Sequence, residues 1–325
     1  MVDKLGYKEV YDGWQADPEG FWMAAAEAID WDKAPSKALT DKGDGLYEWF
    51  ADGTVNTRGN AVDRHVAAGR AAQVAIIYDS PITGRQAKIT YGELQDRVSR
   101  FAGGLAARGI TKGDRVIIYM PMVPEALIAM LAVTRIGAIH SVVFGGFAAH
   151  ELAVRIDDAQ PKAIIAASAG IEPGRVVAYK PLLDSAIDQS TTKPEFCVVL
   201  QREEKPADMI DGRDIDWAEV EAADPTPCVP VEGNHPAYIL YTSGTTGQPK
   251  GVIRHTGGHL VALNWTMKNI YNIEPGEVFW AASDVGWVVG HSYICYAPLI
   301  YGATTIVFEG KPVGTPDAGT FWRVI

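Results

Sequence analysis

Cysteine is scarce in this chain of 325 residues, and the three present, Cys197, Cys228 and Cys295, are widely spaced. An odd, scattered set excludes a disulfide framework and a cysteine-built zinc site, and it fits a reducing compartment. No apolar stretch reaches the length of a membrane span, so no membrane partner is expected. Basic runs are missing too. Lys and Arg total 29 against 40 Asp and Glu, for a net charge of -11. So acidic a surface, without a basic patch, repels nucleic acid and anionic lipid. The first ten residues, "MVDKLGYKEV", hold neither an apolar signal core nor an Arg-rich amphipathic pattern. No signal or transit peptide is expected, and the compartment expected is the cytoplasm. No segment repeats at a fixed period.

What is present reads as an ordinary globular enzyme: 47% hydrophobic and 21% charged residues. This length exceeds what one simple core serves, so two subdomains are the default. Residues 1–70 are rich in aromatics and acids and read as a wrapping segment with short helices. After them, short β-branched or aromatic runs recur, beginning at Val74, Arg115, Ala138, Ala163, Phe196, Ala237, Val278 and Ala303. Each is bounded by polar residues, Gly or Pro, the pattern of buried strands. Helical patterns lie between several of them. Thr90 and Glu93 make a capping box, followed by Leu94, Val98, Phe101 and Leu105 on one face and a stop at Gly109. Pro124 opens a second helix that ends near Gly137, and Gly257 begins a third. The segment from Gln201 to Asp214, "QREEKPADMIDGRD", reads as a charged surface loop. The alternation predicts an α/β fold of largely parallel sheets flanked by helices. Prolines near residue 225 suggest a boundary, giving a first α/β subdomain over 71–225 and a second, incomplete one over 226–325.

One stretch carries chemistry. "YTSGTTGQPKG", Tyr241 to Gly251, ends a strand and runs into glycines. Glycine lets backbone N–H groups approach an anion closely. Thr242, Ser243, Thr245 and Thr246 add hydroxyl donors, Gly244 and Gly247 add open backbone, and Lys250 adds a point charge. Together they suit a polyphosphate. The spacing is not Walker A, because Pro249 precedes the lysine and Gly251 follows it. The bland alternative is a Gly/Thr-rich surface turn with a solvated lysine.

"YTSGTTGQPKG" resembles the signature of the adenylate-forming acyl-CoA synthetases. "WFADGTVNTRGNAVDRHV", "SVVFGGF", "GVIRHTGGHL", "SDVGWVVGHSYICYAPL" and "GATTIVFEG" look like their acetyl-CoA synthetase branch, and "GIEPGRVVAYKPLLD" and "GWVVGHSY" look closer to propionyl-CoA synthetases. The resemblance implies the large N-terminal domain of an adenylate-forming enzyme, a small-molecule carboxylate substrate, and ATP, Mg²⁺ and coenzyme A. It implies that a carboxylate attacks the α-phosphate of ATP, and that the thiol of coenzyme A then displaces AMP. It places Thr242, Ser243, Gly244, Thr245, Thr246, Gly247 and the catalytic Lys250 on the ATP phosphates. The same resemblance puts Phe144, Gly145, Gly146 and Arg175 on coenzyme A. Where the acetyl branch has a second arginine near Arg175, this chain has Glu172, so the coenzyme A contact differs in detail. Trp287, Val288 and Val289 match the acyl pocket and its approach, with Val289 where the acetyl branch has threonine. Ordinary turn, surface and core roles are the alternatives for these positions.

His291 invites a general-base reading. The attacking carboxylate is already ionised, so a hydrogen-bonded structural histidine fits better. His255 and His259 lack partners at metal spacing, so no metal site is assigned. "TFWRVI" at the end reads as a helix just opening, and the C-terminal domain of the family is not found in the sequence. The chain therefore reads as an N-terminal portion, inactive by itself. Two other functions stay open: a carboxylate-adenylating enzyme with a non-CoA acceptor, and a non-catalytic fragment that binds a nucleotide or partner.

Overall fold

The computed structural model describes residues 6–242 and 249–325. Its centre is a seven-stranded sheet in the spatial order Asp214–Asp216, Phe196–Leu200, Ala163–Ala167, Arg115–Tyr119, Ile139–Val142, Pro236–Thr242 and Lys250–His255. The first six strands pair in parallel, and Lys250–His255 runs antiparallel at the edge. A smaller sheet holds Val278–Phe279, Thr304–Phe308, Val74–Ser80 and Arg85–Thr90, with only the last antiparallel. Both sheets draw strands from either side of residue 225.

Alternation along the strands explains the layers. Val116 and Ile118 enter one apolar core with the helices Tyr91–Ala107 and Pro124–Arg135. Ile117 and Tyr119 enter the other, with Leu152 and Ile156 of Ala149–Ala159 and Leu183 and Ala186 of Tyr179–Gln189. A strand buried on both faces must read as a continuous apolar run, as "RVIIY" does. The capping box closes as expected, with the Thr90 N–H donating to Glu93 Oε2 at 2.7 Å. Gly109 then takes φ +87°, a left-handed value that suits a glycine after a helix end.

Two local expectations change. The run from Val278 forms a strand only over Val278–Phe279, since Trp280 turns its ring onto Phe308 and Phe321. The charged segment from Gln201 is not wholly on the surface. Arg202 is 5% exposed and pairs with Glu309, while the buried Asp214 carboxylate accepts from Lys180 at 2.8 Å and Arg213 at 2.7 Å. Buried charges persist where they are paired.

Near the N-terminus, helices Tyr7–Ala16 and Pro18–Ala26 lead into an aromatic patch. Trp22 meets Trp49 at 5.8 Å and Trp265 of the helix Thr256–Asn269 at 6.0 Å between ring centres.

Candidate active site

The carboxyl ends of parallel strands are where α/β sheets place their ligands, most of all where successive crossovers take opposite faces. Here the helix after Arg115–Tyr119 packs on one face and the helix after Ile139–Val142 on the other. Three of the stretches singled out in the sequence leave from such ends. Phe144–Gly146 follows Ile139–Val142, the hairpin holding Arg175 follows Ala163–Ala167, and the glycine-rich stretch follows Pro236–Thr242.

Thr242 and Lys250 stand directly opposite one another in the antiparallel pair, and both are exposed. Ser243, Gly244, Thr245, Thr246 and Gly247 lie outside the described residues. The stem beneath them is braced by groups that carry no sequence motif. The Tyr241 hydroxyl donates to Asp158 Oδ2 at 2.5 Å, and its ring lies 5.6 Å from the Arg155 guanidinium. Arg155 also covers Phe147, 4.7 Å from its ring centre, and so links the stem to the Phe144 turn. The signal for this was a Glu151–Arg155 pair one helical turn apart, which marks a helix but not its target.

Phe144 is half-buried, Gly145 buried and Gly146 exposed. A Cβ on Gly145 would lie 2.3 Å from the Tyr179 hydroxyl oxygen, and a Cβ on Gly170 equally close. The turn and the hairpin therefore both close on Tyr179, and only glycine permits the approach at either position. Arg175 sits opposite Glu172 in the hairpin Ala169–Glu172/Arg175–Ala178 and pairs with it at 2.7 Å.

Trp287, Val288 and Val289 are 49%, 39% and 46% exposed, so the alternative of ordinary core fails for all three. The Trp287 and Phe144 rings stand 5.7 Å apart, which brings the two segments together. Gly286 makes this fit possible, since a Cβ there would lie 2.9 Å from Phe144 Cα. Val288 lines a cavity of about 510 Å³ whose walls include Trp22, Trp49, Arg254, His259 and Tyr293. Asp284, on the same loop, accepts from the Gly286 N–H at 2.7 Å, and burial raises its carboxyl to about 6 against that bond. No local signal marked this residue, since an Asp before a Gly-containing loop reads as turn chemistry.

His291 is buried, its Nδ1 sits 3.0 Å from the Trp287 carbonyl, and burial lowers it to about 4. A ring so held is neutral and structural, as expected. His259 is half-buried, its Nε2 3.2 Å from the Tyr238 hydroxyl. Among the described residues, no group of three or more His, Cys, Asp or Glu is placed to hold a metal ion, and no helix is long and apolar enough to cross a membrane.

The profile of AMP-binding enzymes matches residues 63–325, and that of the acetyl-coenzyme A synthetase N-terminus matches residues 7–61. The chain is 54% identical over 321 residues to the acyl-CoA synthetase short-chain family member 3, mitochondrial, of Rattus norvegicus, covering 98% of this chain and 47% of that protein. It is 44% identical over 332 residues to the acetyl-coenzyme A synthetase of Novosphingobium aromaticivorans, covering 100% of this chain and 50% of that one. The solved acetoacetyl-CoA synthetase from Streptomyces lividans superposes with a TM-score of 0.89 at 25% identity, over 98% of this chain and 49% of that one. The chain thus spans about half the length of these relatives. By these matches, and by the arrangement of its glycine-rich, aromatic and arginine-bearing segments, the chain belongs to the AMP-binding enzyme family.

Proposed function

We propose that this sequence forms the carboxylate-, ATP- and coenzyme A-facing part of a short-chain acyl-CoA synthetase, an AMP-forming acid–CoA ligase. Propionate is the first substrate and acetate the second. In the first half-reaction the ionised carboxylate attacks the α-phosphorus of ATP; the acyl–O–P bond forms and diphosphate leaves. In the second, the coenzyme A sulfur attacks the acyl carbon, the thioester forms, AMP leaves, and the thiol proton goes to solvent. A carboxylate is a poor electrophile, and adenylation gives it a good leaving group. The first step sets an anion against a polyanion, so a positive charge at Lys250 and oriented donors beside it offset the repulsion.

The observation that carries this reading is the departure of three segments from the carboxyl ends of parallel strands, with the tilted rings of Trp287 and Phe144 5.7 Å apart. Mg²⁺ supplies charge on the phosphates when bound; the described residues offer no cluster to hold it, and no ligand is assigned. The whole reaction belongs, on this reading, to a protein of the relatives' full length.

The test is propionate-dependent exchange of labelled diphosphate into ATP by such a protein carrying residues 1–325. Lys250→Ala should slow exchange on the order of 10²-fold, the loss found when one preorganised donor is removed. Exchange without any acyl-CoA formation on adding coenzyme A would favour a different acceptor. No exchange with any short carboxylate would end the proposal.

A further inference from the structure

Tyr241, the last aromatic residue before the glycine-rich stretch, is held from below by one helix. Its hydroxyl donates to Asp158 Oδ2 at 2.5 Å, and its ring centre lies 5.6 Å from the Arg155 guanidinium. Arg155 and Asp158 are one helical turn apart on Ala149–Ala159, a spacing that puts both on one side. Leu152 and Ile156 of the same helix are fully buried and pack with Ile117 and Tyr119 of the large sheet. The platform under Tyr241 is therefore fixed to the core.

The Arg155 side chain is only 7% exposed. Helical side chains lean towards the N-terminus, and this one does, Nη1 donating to the Glu151 carbonyl at 2.5 Å and to Glu151 Oε2 at 2.9 Å. So held, the guanidinium meets two rings, Phe147 at 4.7 Å and Tyr241 at 5.6 Å. A cation over a ring contributes more when both are withdrawn from water. Burial first, and the hydrogen bond to Asp158 after it, raise the Tyr241 hydroxyl above its ordinary value, so it stays a donor.

Tyr241 in turn places the returning strand. It stands opposite Gly251 in the hairpin, and the next pair is Thr242 with Lys250. A Cβ on Gly251 would lie 3.3 Å from Tyr241 Cε1 and 2.9 Å from Ile239 Cγ2. The tyrosine ring therefore rests against the bare backbone of Gly251, one residue from Lys250. A larger residue at Gly251 would push ring and strand apart. The contacts run unbroken from the helix to Tyr241, from Tyr241 to Gly251, and so to the backbone that carries the lysine.

We infer that Arg155 and Asp158 are positioning residues for Lys250, acting through Tyr241. Under the function proposed above, on which this rests, Lys250 meets the ATP phosphates and the two helix residues touch no substrate. They set where the lysine's strand lies. A displacement of about 1 Å at a reacting centre can cost about 10²-fold in rate, so a contact remote from ATP acts on the first half-reaction.

The test is exchange of labelled diphosphate into ATP by a protein of the relatives' full length carrying residues 1–325, measured with Lys250 and with Lys250→Ala. Arg155→Met keeps the reach of the side chain and removes its charge. With Lys250 present it should lower kcat for exchange about tenfold, as a small displacement would, and leave KM for propionate unchanged. In the Lys250→Ala background it should cost nothing further, because residues that act as a unit are not additive. Arg155→Lys should recover most of the rate. Tyr241→Phe, which loses only the bond to Asp158, should show the same dependence on Lys250, and it decides the matter if Arg155→Met does not fold. An equal loss in both backgrounds marks a merely structural role and overturns the inference, as does full exchange by the variants; either result leaves the acyl-CoA reading standing. No exchange by the unsubstituted protein with any short carboxylate ends that reading and this inference together.

Discussion

Arg202 and Glu309 meet fork to fork, Nη1 to Oε1 at 2.9 Å and Nη2 to Oε2 at 3.1 Å, in a setting where neither side chain is more than 5% exposed. The hydroxyls of Tyr78 and Ser80 donate to the same carboxylate at 2.5 and 2.9 Å. The pair ties the end of Phe196–Leu200 in the large sheet to Val74–Ser80 and Thr304–Phe308 in the small one. Removing one partner strands a buried charge, which typically costs about 3–5 kcal/mol. Arg202→Met should therefore lower unfolding stability by that order, and Arg202→Met/Glu309→Leu by distinctly less. Urea midpoints of both variants decide it; a single variant within about 0.5 kcal/mol of the parent would refute the pair's role.

His65, His259 and His291 contribute to a pH dependence, alongside His140 and His235, which burial also lowers. Burial lowers His65 and His259 to about 3 and His291 to about 4; nearby arginines add to this at His65 and Arg254 at His259, and the Trp287 carbonyl opposes it at His291. The unfolded chain binds these protons near pH 6.5, and the folded protein only well below that. Their contribution to stability is therefore present above about pH 6.5 and is lost as pH drops towards 4, by roughly 1.4 kcal/mol per pH unit for each group. Urea midpoints at pH 7.5, 6 and 5 should decline steadily, with a shallower decline for His291→Asn. A flat profile over that range contradicts the buried neutral state.

Gly104 lies in the helix Tyr91–Ala107, where alanine is worth about 1 kcal/mol by helix propensity. The fold opposes that gain. A Cβ there would lie 2.1 Å from the Val220 carbonyl oxygen, and one on Gly103 would lie 1.9 Å from the Asp224 carbonyl oxygen. Backbone cannot step aside as a side chain does, so Gly104→Ala should destabilise, by about 1–3 kcal/mol, despite its propensity. A raised melting temperature would show that this helix is not packed as described.

We propose that Val288 belongs to the acyl pocket, as the family resemblance implies; it borders the cavity walled by Trp22, Trp49 and Tyr293. Val288→Ala should open the pocket into that space. In a protein of the relatives' full length, relative kcat/KM should shift towards butyrate by about 1–3 kcal/mol per methylene accommodated. A profile unchanged across acetate, propionate and butyrate takes Val288 out of the pocket.

Local signals carried the fold a long way. The box at Thr90 and Glu93, the stop at Gly109 and Pro124 at a helix start are each written within a few residues and each hold. The helices Ala149–Ala159 and Tyr179–Gln189 escaped the reading because Ala148 and Ala178 at their starts carry no capping side chain. Arg202 escaped for another reason. Its surroundings in sequence are polar, and the partner that buries it, Glu309, lies far along the chain. Lys311 is the same case: nothing near "EGKPVG" points to Glu172, whose carboxylate its Nζ meets at 3.3 Å. Residue types and spacing report what a segment does alone, and cross-chain partners follow only from topology.

The small sheet has its own consequence for how the chain assembles. Ile76 pairs with Thr305 and Ile77 with Ile306, whereas the large sheet takes all its strands from the stretch between Arg115 and His255. Chain entropy disfavours closing so wide a loop early, and contacts near in sequence form first. On a ribosome, Val74–Ser80 waits with only its hairpin partner Arg85–Thr90 until Thr304–Phe308 has been made. The small sheet closes after the large one, and Glu309, directly after Thr304–Phe308, locks the two together.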